Sequence, residues 1–157
     1  MKRLIKVQYR RRRENKTDYT ARKSLLEGKR FVVRKTNRYI IAQFVEHKEA
    51  QDRTICLTNS KELSKYGLKE TYSMKNLQAA YLTGYLCGIK ALKHNIKNAV
   101  LDIGLLRSTK GSRIYSALKG AVDAGVNIPH SKEIIPTEKM LNLKEIEAIK
   151  KKIQEHK

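Results

Sequence analysis

The stretch that decides the fold is Ala99-Val100-Leu101-Asp102-Ile103-Gly104, a nearly continuous apolar run. A short run of this kind predicts a central β-strand that is covered on both faces. The strongest helical pattern in the chain precedes it over residues 74–92, with Ser73 as the expected N-cap. A second helix is predicted after it, over residues 112–124. Helices on either side of such a strand predict an α/β protein.

Further toward the N-terminus, three short strands are predicted at residues 31–33, 39–46 and 54–58. Their short connections, including the turn Thr36-Asn37-Arg38, indicate an antiparallel meander. Residues 59–72 are expected to be a polar loop. A first helix is predicted from Thr17 or Asp18 to Glu27, and residues 1–16 are expected to form an extended arm.

Two features concern the packing of the helices. Gly84 and Gly88 lie four residues apart in the main helix, where each weakens it by about 1 kcal/mol relative to alanine. They predict a close approach of this helix to the sheet. Near the C-terminus, apolar residues recur at helical spacing and predict a charged helix with an inward face formed by Leu143, Ile146, Ile149 and Ile153.

Length and charge restrict the class of protein. The 157 residues predict one compact domain, which we divide into a basic arm (1–16), an α/β domain (17–135) and a charged C-terminal helix (136–157). The formal net charge is +20, and residues 1–38 carry fifteen Lys and Arg against three acidic residues. A one-sided basic cluster predicts a polyanionic partner, above all nucleic acid. No apolar stretch predicts a membrane-spanning helix or a secretory signal.

Cys56 and Cys87 lack the spacing of a zinc site or a disulfide framework. They are expected to be a buried, reduced pair in a cytosolic protein, and no cofactor is predicted. Asp102 interrupts an apolar strand, where an unpaired carboxylate is costly. It is interpreted as hydrogen-bonded to loop amides or to Arg107. The alternative, a nuclease metal ligand with Asp18, Asp123 or Glu46, lacks a metal-binding spacing.

Several motifs resemble one family in the same order along the chain. They are Arg10-Arg11-Arg12-Arg13-Glu14 with Thr17-Asp18-Tyr19, Val33-Arg34-Lys35-Thr36-Asn37, Ala79-Ala80-Tyr81-Leu82-Thr83-Gly84, the run from Ala99 to Leu105, Lys119-Gly120-Ala121-Val122-Asp123-Ala124-Gly125 and Ile128-Pro129-His130-Ser131. Over about residues 8–135 the chain resembles the universal large-subunit ribosomal protein eighteen family in its archaeal and eukaryotic form.

The resemblance implies a three-layer α/β/α fold with a mixed sheet, similar to ribonuclease H. It implies a structural ribosomal protein, not an enzyme, that binds 5S rRNA and helps attach it to 23S rRNA in the central protuberance. The implied partners are these two RNAs and neighbouring large-subunit proteins, including the other 5S-binding protein (large-subunit protein five). The implied location is the large ribosomal subunit in the cytoplasm.

The candidate RNA-binding residues combine cations with tyrosine rings that stack unpaired bases and small polar residues in turns. In the loop at 109–113, free amides before the helix are expected to receive a phosphate. The predicted residues are Arg3, Lys6, Tyr9, Arg10, Arg11, Arg12, Arg13, Lys16, Tyr19, Arg22, Lys23, Arg34, Lys35, Thr36, Asn37, Arg38, Lys110, Gly111, Ser112, Arg113 and His130.

Three other classes of protein make different predictions. An RNA-processing nuclease of ribonuclease H-like fold predicts metal-dependent cleavage that Asp102→Asn abolishes. A general nucleic-acid-binding module predicts similar affinity for duplex DNA and folded RNA. A protein-interaction adaptor leaves the charge of residues 1–38 unexplained. Tyr81, Tyr85 and Tyr115 lie on helix faces and are expected in the core.

Overall fold

The computed structural model describes residues 7–49, 51–68, 73–141 and 143–155. Its β-strands are β1 (Lys29–Lys35), β2 (Ile40–Lys48), β3 (Gln51–Asn59) and β4 (Val100–Asp102). Its α-helices are α1 (Arg10–Arg13), α2 (Tyr19–Ser24), α3 (Leu77–Lys93), α4 (Arg113–Asp123), α5 (Glu138–Leu141) and α6 (Leu143–Glu155). Two 3-10 helices are described, at Ser60–Tyr66 and Lys132–Ile134.

The strands form a four-stranded mixed sheet in the order β3-β2-β1-β4. The antiparallel pairing of β1 with β2 and of β2 with β3 confirms the predicted meander. β1 and β4 are parallel, which confirms the mixed sheet. The α/β class is confirmed, and the strand order is compatible with the ribonuclease H-like topology that the resemblance implies.

β4 is predicted to be a central strand. In the structure it has three residues and lies at the edge of the sheet. Val100 is 42% exposed, so the strand is not covered on both faces. The apolar run extends beyond the strand because Ile103 packs against the core from the turn that follows. An apolar run alone does not separate a buried central strand from a short edge strand with an apolar turn.

The main core lies between one face of the sheet and helices α3 and α4. Alternate residues of the strands point toward it, among them Phe31 and Val33 of β1 and Ile40 and Phe44 of β2. Cys87 of α3 lies in this core, and its thiol donates to the Ala42 carbonyl at 3.4 Å. The prediction of buried, free cysteines is confirmed. Hydrogen bonding with Cys56 and burial raise the pKa of the Cys87 thiol well above its ordinary value of 9.0.

Helix α3 begins later than predicted. Its N-cap is Asn76, whose side-chain oxygen accepts the Ala79 N–H at 2.7 Å, whereas Ser73 lies before the helix. Asparagine and serine are about equally good N-caps, so the cap residue alone does not decide between them. The helix is buried on several sides because a second core joins its outer face to the first 3-10 helix and to α6. Tyr81, Tyr85 and Tyr115 are buried, as predicted.

The glycines of α3 serve a helix–helix contact instead of the predicted helix–sheet contact. A Cβ atom at Gly84 would overlap the backbone carbonyl of Ala117 in α4. Reciprocally, a Cβ atom at Gly120 of α4 would overlap the carbonyl oxygen of Tyr81. Periodicity placed the close approach on the correct helix, but it contains no information about which element lies opposite.

Three N-terminal and central predictions need correction. Residues 10–13 are helical instead of extended, because arginine favours helices and Arg10 pairs with Glu14 one turn later at 3.7 Å. Helix α2 ends at Ser24, before the predicted Glu27. The predicted loop at 59–72 contains the 3-10 helix Ser60–Tyr66, which starts with a capping box between Asn59 and Glu62. Residues 69–72 lie outside the described residues.

On the second face of the sheet, helix α2 and residues 103–106 line a cleft together with the strands, an arrangement that is compatible with three layers. In α6, Ile146 and Ile153 are buried and Ile149 is partly buried; the side chain of Leu143 lies outside the described residues. Gln154 of α6 donates to the Tyr85 hydroxyl at 2.6 Å. The C-terminal helix therefore packs directly against α3.

Candidate nucleic-acid interface

The four arginines of α1 are all exposed. Arg11 is oriented by a hydrogen bond from its Nε to the Thr17 hydroxyl at 2.9 Å. Glu14 pairs with Arg10 at 3.7 Å and with Lys16 at 2.7 Å. In the described part of the chain, no carboxylate pairs with Arg12 or Arg13, so these two guanidinium groups are available to an anionic partner.

A ring contact links the start of α1 to α2, the helix that Asp18 caps. The rings of Tyr9 and Tyr19 have centroids 5.2 Å apart and are tilted by 47°. Asp18 caps α2 by accepting the N–H groups of Thr20 at 2.9 Å and Ala21 at 3.2 Å. Tyr9 nevertheless remains 73% exposed, so its ring can still stack on a partner.

The β1–β2 hairpin presents the second basic group. The Thr36 hydroxyl both donates to the Tyr39 carbonyl and accepts the Tyr39 N–H, each at 2.9 Å. Thr36 therefore holds the turn, while Lys35, Asn37 and Arg38 are exposed. Neither Lys35 nor Arg38 pairs with an acid among the described residues.

A chain of alternating charges crosses the second face of the sheet. Arg22 of α2 pairs with Asp52 of β3 at 2.7 Å, and Arg30 of β1 pairs with the same carboxylate at 2.6 Å. Arg30 also reaches Asp102 of β4 at 3.3 Å, and Arg34 pairs with Asp102 at 3.0 Å. We call these five residues the charge chain. Two predicted RNA-binding residues, Arg22 and Arg34, thus already have partners within the protein.

The charge chain keeps Asp52 ionised. Burial by itself would raise the pKa of this carboxyl, but hydrogen bonds from Arg30 and His47 and the positive charges of Arg30 and Arg22 outweigh it. The net result is a pKa below the ordinary 3.8. Sequence reasoning missed both Arg30 and Asp52. The available signal was Arg30 in a strand whose neighbours are apolar, because a charge at such a position requires a partner.

The hydrogen-bond partners of Asp102 are groups of the protein itself, which indicates a structural role for this carboxylate. Its carboxylate accepts from Arg34 and from the Gly104 N–H, the latter at 2.8 Å. The predicted bond to a loop amide is confirmed, whereas Arg107 is replaced by Arg30 and Arg34. Gly104 has a φ of +59°, and an added Cβ would lie 2.9 Å from the Arg34 guanidinium. Glycine is therefore favoured where the chain turns over Arg34.

In the loop before α4, two of the backbone amides expected to receive a phosphate already have partners within the protein. The N–H groups of Gly111 and Ser112 donate to the carbonyls of Ile134 at 3.0 Å and Thr109 at 3.2 Å, so these two amides are occupied. Lys110 pairs with Glu133 at 3.2 Å, and Arg113 is exposed. The side chains, and not these amides, are left for an anion.

His130 has an intramolecular contact of its own, because its Nδ1 lies 2.6 Å from the Ile128 carbonyl oxygen. Arg3 and Lys6, both predicted to bind RNA, lie outside the described residues. Lys23 is exposed on α2 beside the arm.

The fold brings part of the predicted set together. Arg11, Lys16, Arg22 and Arg34 line a single cleft between the N-terminal segment and the sheet. Because β1 and β4 are parallel, the hairpin after β1 and the loop after β4 leave the same end of the sheet. The hairpin and this loop therefore lie at the same end of the sheet, and the arm contributes Arg11 and Lys16 to the cleft on its second face.

Within residues 7–49, 51–68, 73–141 and 143–155, no three His, Cys, Asp or Glu side chains are grouped to hold a metal ion. The same residues contain no helix that is both long and apolar enough to cross a membrane. Asp123, a suggested companion of Asp102, instead accepts the Tyr81 hydroxyl at 2.7 Å.

The fold and the exposed cations define a basic α/β protein built to contact a polyanion. Residues 3–99 and 93–131 match the family described as ribosomal large subunit proteins 60S L5 and 50S L18. The chain is 52% identical over 152 residues to large ribosomal subunit protein uL18 of Korarchaeum cryptofilum, covering 96% of this chain and 77% of that protein.

Two further relatives carry the same name. The uL18 protein of Methanothermobacter thermautotrophicus is 51% identical over 135 residues, which cover 85% of this chain and 69% of that protein. That of Methanoregula boonei is 47% identical over 148 residues, covering 93% and 84%. The chain belongs to the uL18 family of large-subunit ribosomal proteins, which are structural constituents and not enzymes. This confirms the resemblance and the predicted location in the large ribosomal subunit.

Proposed function

We propose that the protein binds 5S rRNA and helps attach it to 23S rRNA in the central protuberance of the large subunit. The observation that carries the proposal is α1, a turn of four exposed arginines in which Arg12 and Arg13 lack an acidic partner among the described residues. Arginine forms bidentate hydrogen bonds with phosphate, so such a turn suits an RNA backbone. Membership of a ribosomal family makes rRNA the polyanion to test first.

The predicted site residues have different roles in this proposal. The arm cations and those of the hairpin contact phosphates, Tyr9 and Tyr19 stack on unpaired bases, and the charge chain positions Arg22 and Arg34 beside the arm. Lys110, Arg113 and His130 contact a second RNA segment, so that the protein bridges 5S and 23S rRNA. Neighbouring proteins, including large-subunit protein five, complete the assembly.

The test is a binding titration of the full chain against 5S rRNA, transfer RNA and duplex DNA over a range of salt concentrations. The variant replaces Arg10, Arg11, Arg12 and Arg13 with glutamine. Its matched control removes the same charge from four exposed lysines elsewhere, at Lys65, Lys93, Lys97 and Lys151. We expect the wild-type protein to prefer 5S rRNA and the arginine variant to bind at least ~10-fold more weakly, with a salt slope about 3 lower.

Two results would count against the proposal. Equal affinity for the three nucleic acids would leave a general polyanion binder. Equal losses in the arginine variant and in the lysine control would indicate that net charge, and not the arm, determines the affinity.

A further inference from the structure

The cleft on the second face of the sheet is only partly filled by the protein. Helix α2 has six residues and lies over a four-stranded sheet, so it covers part of that face. The remaining cleft has a volume of about 600 Å³. Sites for small molecules have volumes of roughly 300–1,000 Å³, so one planar ring system with its sugar fits this space.

The charge chain that lines the cleft has a formal charge of only +1, because its three arginines face two aspartates. The charge chain sets Arg22, Arg30 and Arg34 against Asp52 and Asp102. The Arg30 side chain is only 4% exposed, and its Nε is buried with no hydrogen-bond partner in the described structure. A phosphate gains little from cations that carboxylates already neutralise, so the depth of the cleft favours a neutral, polar group.

The other lining residues suit a flat ring with polar edges. Val32 and Val45 of the sheet and Leu25 of α2 supply apolar surface. Gln43 and Thr54 line the same cleft and offer uncharged donors and acceptors. A nucleobase has this combination of apolar faces and hydrogen-bonding edges.

The rim of the cleft, in contrast, is positively charged. Arg11 lies there, and its hydrogen-bond partner in the described structure is the uncharged hydroxyl of Thr17. It is followed in sequence by the unpaired Arg12 and Arg13. The rim therefore suits a phosphate, and it is continuous with the arm that we propose to bind RNA.

We propose that the cleft receives one unpaired nucleotide of the bound rRNA. Its base lies beside Val32, Val45, Gln43 and Thr54, and its phosphate contacts Arg11 at the rim. This inference rests on the proposed function and adds that the protein reads an extruded base in addition to the RNA backbone. A peptide of a neighbouring protein is the competing occupant, and it lacks the repeated phosphates that match the adjoining arginines.

The test fills the cleft without altering charge. Thr54→Trp places a bulky side chain on the cleft face of β3, and Gln51→Trp is the matched control in the same strand outside this cleft. Gln43→Ala is a smaller second variant that removes polar groups, in case tryptophan perturbs folding. Each variant is titrated with 5S rRNA across salt concentrations, and the 2′-hydroxyl reactivity of the bound RNA is probed at each nucleotide.

We expect Thr54→Trp to weaken binding roughly 5- to 150-fold, as for loss of one stacked base, with an unchanged salt slope. Gln43→Ala should show the same direction, and Gln51→Trp should bind as wild type. The altered reactivity should be confined to one nucleotide and its neighbours.

The outcomes separate this inference from the proposed function. Wild-type affinity and wild-type reactivity in both cleft variants would overturn the inference and leave the cleft to a protein partner. A wild-type protein without preference for 5S rRNA would instead overturn the proposed function.

Discussion

Arg30 shows how one side chain joins distant parts of this fold. Its guanidinium lies on β1 and reaches Asp52 across β2 on one side and Asp102 of the adjacent β4 on the other. Without Arg30, Asp52 would keep Arg22 and Asp102 would keep Arg34, and both of these arginines are more exposed to solvent than Arg30. Arg30 is thus a structural residue in the same cleft as Arg11 of the arm that we propose to bind RNA.

Arg30→Met should lower the free energy of unfolding by about 1.5–3 kcal/mol, because it removes charged hydrogen bonds from Asp52 and Asp102, which keep Arg22 and Arg34 as their ion-pair partners. Chemical denaturation followed by circular dichroism measures the change. Arg38→Met on the exposed hairpin is the control and should stay within about 0.5 kcal/mol of wild type. Superimposable denaturation curves for wild type and Arg30→Met would show that the charge chain is not required for stability.

The lowered pKa of Asp52 predicts a dependence of stability on pH. Since the folded-state pKa lies below 3.8, the ion pairs of Asp52 contribute fully above that value. The contribution is lost as the pH falls through the folded-state pKa. Asp52→Asn should therefore be less stable than wild type at pH 6, and the difference should shrink below pH 3.8. Unfolding at both pH values tests this, and a constant difference would contradict it.

At the scale of elements, the contact between α3 and α4 determines how closely the helical layer packs. Gly84 and Gly120 each face the backbone of the other helix, so the two helices approach without side chains between them. Backbone atoms cannot rotate away as a flexible side chain can. A methyl group at either position therefore requires the helices to separate.

Gly84→Ala and Gly120→Ala should each destabilise the protein by about 3 kcal/mol or more, at the upper end of overpacking effects. The gain of about 1 kcal/mol in helix propensity offsets only part of this. Thermal and urea unfolding measure the effect, with Lys93→Ala on the exposed end of α3 as the control. If either alanine variant were as stable as wild type, the close packing of the two helices would be wrong.

At the scale of the whole molecule, the acidic residues and the cations are divided between different roles. Asp52 and Asp102 form ion pairs on the sheet, whereas Arg12 and Arg13 of the arm and Lys35 and Arg38 of the hairpin have no acidic partner among the described residues. Exposed lysines also lie elsewhere, but residues 1–38 alone carry fifteen Lys and Arg against three acidic residues. The net charge of +20 is therefore displayed unevenly, and a polyanion is attracted to one side of the fold.

The exposed cations of the hairpin should contribute to the salt dependence of RNA binding. Lys35→Gln combined with Arg38→Gln should lower the salt slope of RNA binding by about 1–2, because each cation that contacts a phosphate contributes about one unit. Stability should not change, since neither residue has an acidic partner in the described part of the chain. The control is Lys93→Gln with Lys97→Gln, and an equal slope for the two double variants would exclude the hairpin from the RNA contact.

Several features followed from the sequence alone because they depend on local patterns. Alternating apolar residues determined the meander of β1, β2 and β3, and helical spacing determined α3 and α4. The excess of cations in residues 1–38 indicated the class of partner, and ordered motifs indicated the family. Such signals lie within a few residues of one another along the chain.

The tertiary structure decided what depends on distant residues meeting. Only the folded chain placed β4 at the sheet edge, set Gly84 against Ala117, and joined Arg30 to Asp52 and Asp102. Arg30 and Asp102 are 72 positions apart, and no periodicity links such residues. Pairing of charges and approach of helices are properties of three-dimensional neighbours, so the sequence specifies them only through the complete fold.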